Sequence, residues 1–226
     1  MSESASGLIV AIMMLVCFGS LVAVMVLIFY VQRRARQARI RYCQGWAAHH
    51  GFQYWPEDLS VLGMSSQAPF SVGHSRTAMD VFRGKYRGLH LHFFHYRYRT
   101  GSGKNQRTHD WQVVAVSLPA ARPLLDIDHE NFLSKRLGKD IDFENQAFND
   151  RYRVISASPR FAYDVIHPRT MEWMLSDYRA LANRWRFEGP WLMTMRSGAL
   201  DLDHVMHFAD FLVDVRSQVP DHVWTY

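Results

Sequence analysis

Residues 8–31, LIVAIMMLVCFGSLVAVMVLIFYV, run for 24 positions without a charged side chain, and nothing else in the sequence so narrows what the chain can become. As a helix the run is about 36 Å long, against a bilayer hydrocarbon core of about 30 Å. In lipid the backbone must satisfy its polar groups within the segment, so helix is the expected conformation. Tyr30 stands where an aromatic ring suits the interface, and Arg33, Arg34, Arg36, Arg39 and Arg41 follow at once. A cleaved secretory signal would instead have a basic start, a shorter apolar core and a small-residue cleavage site. Residues 1–7 contain Glu3 and neither Lys nor Arg, which goes against that alternative.

Arginine bias on the C-terminal flank predicts a single-pass protein of the cell membrane. Residues 1–7 lie outside, 8–31 cross the bilayer, 32–50 form a basic juxtamembrane helix or linker, and 51–226 form a cytoplasmic domain. The lipid bilayer is thus the first expected partner, with anionic headgroups meeting the five arginines at about 1 kcal/mol for each residue. The same arginines explain most of the basic balance, a net charge of +5 and a pI near 9.4. Beyond them, residues 42–226 hold 21 Lys+Arg against 20 Asp+Glu. A near-neutral domain disfavours nucleic acid, because affinity for a phosphate backbone grows with the number of phosphates neutralised. Cys17 falls inside the apolar run and Cys43 beyond the arginines. No disulfide framework is available, in keeping with a reducing compartment. Cys43 is placed for S-acylation, although an ordinary thiol suffices.

The domain reads as α+β. Apolar spacing at Ile40, Cys43, Trp46 and Ala47 continues the helix toward Gly51, a residue suited to the left-handed position after a helix end. Residues 51–76 are rich in Pro and Gly and read as loop with short strands. Three aromatic and β-branched runs then predict strands near 77–84, 87–99 and 108–118, forming an antiparallel meander. Pro119 and Pro123 predict a loop, followed by a short helix at 129–137, a turn at Gly138 and a strand at 151–156. Ser158-Pro159 is a helix start, and 170–181 reads as a further helix. RWRFEGPWLMTMRSG predicts a hairpin turned at Gly189-Pro190, before an amphipathic helix at 201–217.

VFRG (81–84), FFHYRY (93–98), SLP (117–119), GKDIDFEN (138–145) and FNDRYRV (148–154), in this order, carry a resemblance. Over residues 63–219 the chain resembles a family of uncharacterised bacterial single-pass membrane-anchored proteins. That family has no assigned activity or catalytic residues. The resemblance therefore implies a transmembrane helix and a soluble domain of unknown function, and nothing about a site.

No G-x-S-x-G, P-loop or Rossmann glycine pattern is present, so no cofactor and no catalytic residue is implied. The first expectation is a cytoplasmic interaction domain that binds an unidentified protein partner or packs on the membrane surface, with no catalysis. The alternative is a metal-dependent hydrolase built on Asp126, Asp128, Asp140, Asp142 and Glu144, with His129 nearby. The two D-I-D sequences would each hold a carboxylate pair on one side of an extended chain. Alternation in LHLHFFHYRYR also puts His90 and His92 on one face, as weak metal-ligand candidates. Tyr96 to Arg99 raises a third idea, a stacking surface for single-stranded nucleic acid, for which cross-strand packing is the plainer explanation.

Overall fold

A computed structural model describes residues 2–129 and 141–225. The expected helix at 129–137, the turn at Gly138 and Asp140 thus lie wholly or largely outside the described residues. The chain divides into two compact units, residues 1–46 and 47–226.

The first unit is part of one helix, α1 (Ser2–His50), unbroken through the apolar run and the arginines. It is the one described helix long and apolar enough to cross a membrane, and none of its most apolar window is buried in protein. The five arginines do not make a stripe. At about 100° per residue, positions 33, 34, 36, 39 and 41 are spread around the helix as a collar. α1 ends at Gly51, whose φ of +75° is the left-handed conformation expected there.

The second unit is α+β. Its strands are β1 (Gln53–Glu57), β2 (His74–Tyr86), β3 (Leu89–Thr100) and β4 (Arg107–His129). After the short helix α2 (Gln146–Asn149) come β5 (Tyr152–Ser156) and the helices α3 (Pro159–Val165), α4 (Pro168–Ser176) and α5 (Tyr178–Ala182). The strand β6 (Trp185–Ser197) and the helix α6 (Val205–Gln218) complete the set. All six strands form one antiparallel sheet in the order β1-β2-β3-β4-β5, with β6 on β4. The 23-residue β4 is its spine. β3 pairs with its first half, from Thr100↔Arg107 to Leu91↔Val116, and β5 with its end, from Leu125↔Ser156 to His129↔Tyr152. β6 follows it from Trp111↔Ser197 to Ile127↔Trp185.

Two expectations fail on this spine. The strand does not stop before Pro119, and Gly189-Pro190 does not turn a hairpin; both strands run through. Pairing slips between Ser117 and Arg122 and again between Arg122 and Leu125, opposite Gly189. A bulge is where a strand tolerates a proline that cannot donate to the ladder. Gly189, at φ +57°, takes a backbone conformation other residues resist. The expected 170–181 helix is also two helices. Asp177 ends α4 in extended conformation, and its carboxylate caps α5 through the Arg179 amide at 2.8 Å.

Strand alternation gives the sheet two covered faces. A 3₁₀ turn at Leu59–Met64 and the loop after it place Val61, Met64 and Phe70 over Phe94, Tyr96, Val113 and Met193. α6 buries Val205, Phe208, Ala209, Phe211, Leu212 and Val215. Tyr86 of β2 donates to Asp210 of α6 at 2.7 Å.

Candidate functional site

Past the bulge, β4 and β6 carry charge on every second residue. The charged residues of DID on β4 and of RWRFE, which is Arg184 and the start of β6, alternate with Leu125, Ile127, Trp185 and Phe187, which are buried on the other side, where Phe161 of α3 meets Phe187 edge to face. The charged side faces the loop after the 3₁₀ turn. Asp126 pairs with Arg186 across the ladder, and the Arg186 guanidinium, fully buried, donates to Asp126 Oδ2 at 2.9 Å, to Ser65 Oγ at 2.8 Å and to the Ala68 carbonyl at 2.9 Å. Glu188 accepts from the Ser65 hydroxyl, and from the Ser66 amide at 2.8 Å. Arg184 lies 3.6 Å from Asp128 and 3.9 Å from Asp126, and Arg153 of β5 stands opposite Asp128.

This ladder explains why the two aspartates are buried. Charges stay buried when paired and hydrogen-bonded, and here each carboxylate has a guanidinium of the neighbouring strand within reach. A cation would compete with those arginines for the same oxygens. At the end of the ladder a cavity of about 370 Å³ opens, lined by Trp111, Asp128, His129, Arg184, Met195 and Arg196.

The remaining candidates do not join this cluster. Asp142 and Glu144 are exposed on the approach to α2. Among the described residues no group of three or more His, Cys, Asp or Glu is arranged to hold a metal ion. Tyr96 and Tyr98 have buried rings: Tyr96 stacks on Phe70 and donates to the Pro69 carbonyl at 3.2 Å, while Tyr98 stacks on His109. Arg97 is held by Asp110 at 2.7 Å. The aromatic rings thus serve the core, as cross-strand packing requires.

His90 and His92 do share one face, as alternation predicts, and they line one pocket. Their neighbours were not foreseen: Arg83 lies directly across from His92, and Lys85 from His90. Burial, then the positive charges of Arg83 and His90, push His92 down to about 4. Arg83 pairs with Asp58 and stacks over Trp55 at 4.9 Å. A hydrogen bond from Ser60 holds Asp58 below the ordinary carboxylate value against the opposing effect of burial, with Arg83 adding to the shift.

Architecture thus defines a class: a long apolar helix leading into an antiparallel α+β unit. No family model matches the chain, and no curated protein matches it. Among solved structures it is similar to the mycobacterial trehalose monomycolate transport factor A, TtfA. The TM-score is 0.58 at 16% identity, over 80% of this chain and 95% of that one. At that identity the likeness concerns the fold.

Proposed function

We propose that the chain is a single-pass protein of the cell membrane, with residues 1–7 outside, 8–31 in lipid and 51–226 in the cytoplasm as a non-catalytic interaction module. The observation that carries this reading is α1, whose apolar stretch finds no protein surface to bury it and ends in the arginine collar. A collar suits a helix that passes through a headgroup layer, whereas one lying in the interface would gather its basic residues on one side. Lipid is the solvent such a helix fits, and the anionic inner leaflet favours its basic end. In this reading the domain, held at the membrane, docks an unidentified protein. The fold neighbour is named a transport factor, a name compatible with a membrane-associated, non-catalytic role.

The test is extraction and topology. Full-length protein is expected to stay with membranes through high salt and alkaline carbonate, and to leave only in detergent. A fluorescent reporter after Tyr226 is expected to be active and a secreted phosphatase at the same point silent. The opposite reporter pattern, or recovery in the soluble fraction, defeats the proposal. Changing all five collar arginines to Gln is expected to produce mixed topology. The hydrolase alternative is not favoured, since its carboxylates among the described residues are either salt-bridged to arginine, as Asp126 and Asp128 are, or separate on the surface, as Asp142 and Glu144 are.

A further inference from the structure

The face of the sheet that carries Phe94 and Tyr96 continues past the 3₁₀ cover toward the β2–β3 turn, and there its chemistry changes. Two rows of side chains cross the strands. In the first, Gln53 of β1, Arg83 of β2 and His92 of β3 are directly opposite one another. In the second, Lys85 of β2 is opposite His90 of β3. Together they line a pocket of about 540 Å³ beside Gly51, with no acidic residue in its wall.

The Arg83 guanidinium and the Lys85 ammonium thus stand directly across from two imidazoles that bring no negative charge to balance them. Lys85 has no ion-pair partner among the described residues. Arg83 has one, Asp58, yet its Nε is buried without an acceptor. The His92 ring lies against the Trp191 ring, at 4.5 Å between centroids, and stands directly across the ladder from Arg83. The pair of histidines that suggested a metal ligand set is therefore surrounded by positive charge, and the sign of the expected ligand reverses.

The geometry points to a phosphate-recognition site in this pocket, in which Lys85, His90, His92 and Gln53, with Arg83 behind them, hold a phosphomonoester dianion. Donors on three adjacent strands, about 4.8 Å apart between strands, approach from several sides and suit the spread oxygens of a tetrahedral phosphate better than a planar carboxylate. Charge-assisted hydrogen bonds to such oxygens are the strong kind. The phosphate belongs either to a soluble metabolite or to a lipid headgroup with a terminal phosphate. The site does not depend on which side of a membrane the domain occupies.

The experiment uses the full chain. In dodecyl maltoside micelles it is titrated with glycerol phosphate, and in nanodiscs of phosphatidylcholine with or without phosphatidic acid the same histidine resonances are followed by NMR. Saturable shifts of His90 and His92 are expected, with His92 titrating above its starting value of about 4, where burial and the positive charges of Arg83 and His90 hold it, because the dianion offsets those charges. The residues facing His92 in this balance are Arg83, Lys85, His90, Asp58 and Trp191. Lys85→Gln with His90→Gln, both at the open rim, is expected to weaken binding by about tenfold or more while leaving the denaturation curve unchanged. Response to glycerol phosphate assigns a soluble ligand, and response to phosphatidic acid alone assigns a headgroup. A variant with Gln at the five collar arginines should bind as well as the parent, which separates this site from the membrane anchor. No saturable response in either arm overturns the proposal, as does binding that the Lys85/His90 variant retains or that the collar variant loses.

Discussion

The two halves of the β4 spine reach the same burial by opposite chemistry. In the first, Val113, Val114, Ala115 and Val116 are closed on both faces by apolar side chains of β3, β6, α6 and the 3₁₀ cover. In the second, Asp126 and Asp128 are 3% and 8% exposed, yet they are balanced by Arg186 on β6 and by Arg184 just before it. The difference teaches where tolerance lies. A smaller side chain in the apolar half leaves a void, whereas an ion pair that loses one member leaves a charge with no solvent.

Substitutions on the full chain in detergent, followed by denaturant unfolding with tryptophan fluorescence, sharpen this contrast. Arg186→Ala is expected to cost the most, about 3–5 kcal/mol, since Asp126, Ser65 and the Ala68 carbonyl lose a common donor. Leu91→Ala, on β3 opposite Val116 of the apolar half, should cost about 3 kcal/mol by cavity formation. A loss below about 1 kcal/mol in Arg186→Ala would break the comparison.

Acid offers a third measure. Burial holds His92 at about 4 and lowers His95 as well, against the pull of Asp110 on His95. Both bind protons more readily unfolded, so stability is full above about 6.5. It should fall as pH drops through that value toward about 4. His92→Gln is expected to remove part of that slope, and an unchanged slope would mean that His92 is not held neutral by the fold. Carboxylates held down by partners add a later loss: Asp58 by Ser60, and Asp177 by the Arg179 guanidinium. Their contribution is present above about 3.8 and disappears as pH falls below it. Smallest of all should be the double change Asp126→Leu with Arg186→Met. Removing both charges together is expected to leave stability within about 1 kcal/mol of the parent, and a large loss there would make the pair itself, not its mismatch, the source of stability.

Legibility along the chain followed how local the signal was. β3 and the first half of β4 were readable because aromatic and β-branched residues in period two need no knowledge of their partners. The caps were readable for the same reason: Ser158 accepts from the Phe161 amide and Pro159 opens α3. By contrast, Pro119, Pro123 and Gly189-Pro190 carry the ordinary marks of loop and turn, and only their meeting at one bulge keeps both strands intact. DID and RWRFE do alternate, and that period was the available signal, but charge on every second residue normally marks a solvated face. His90 and His92 were correctly placed on one face, while Arg83 and Lys85, separated from them by a turn, were invisible as neighbours.

By itself, then, the order of residues determined the long helix with its arginine collar and the α+β composition, because hydropathy and period act within one segment. Tertiary structure decided that the strands of the spine continue through their prolines, that buried aspartates meet arginines and that two histidines sit among cations. Those outcomes depend on which strands pair and in what register, a property of residues far apart in the chain that no single segment contains.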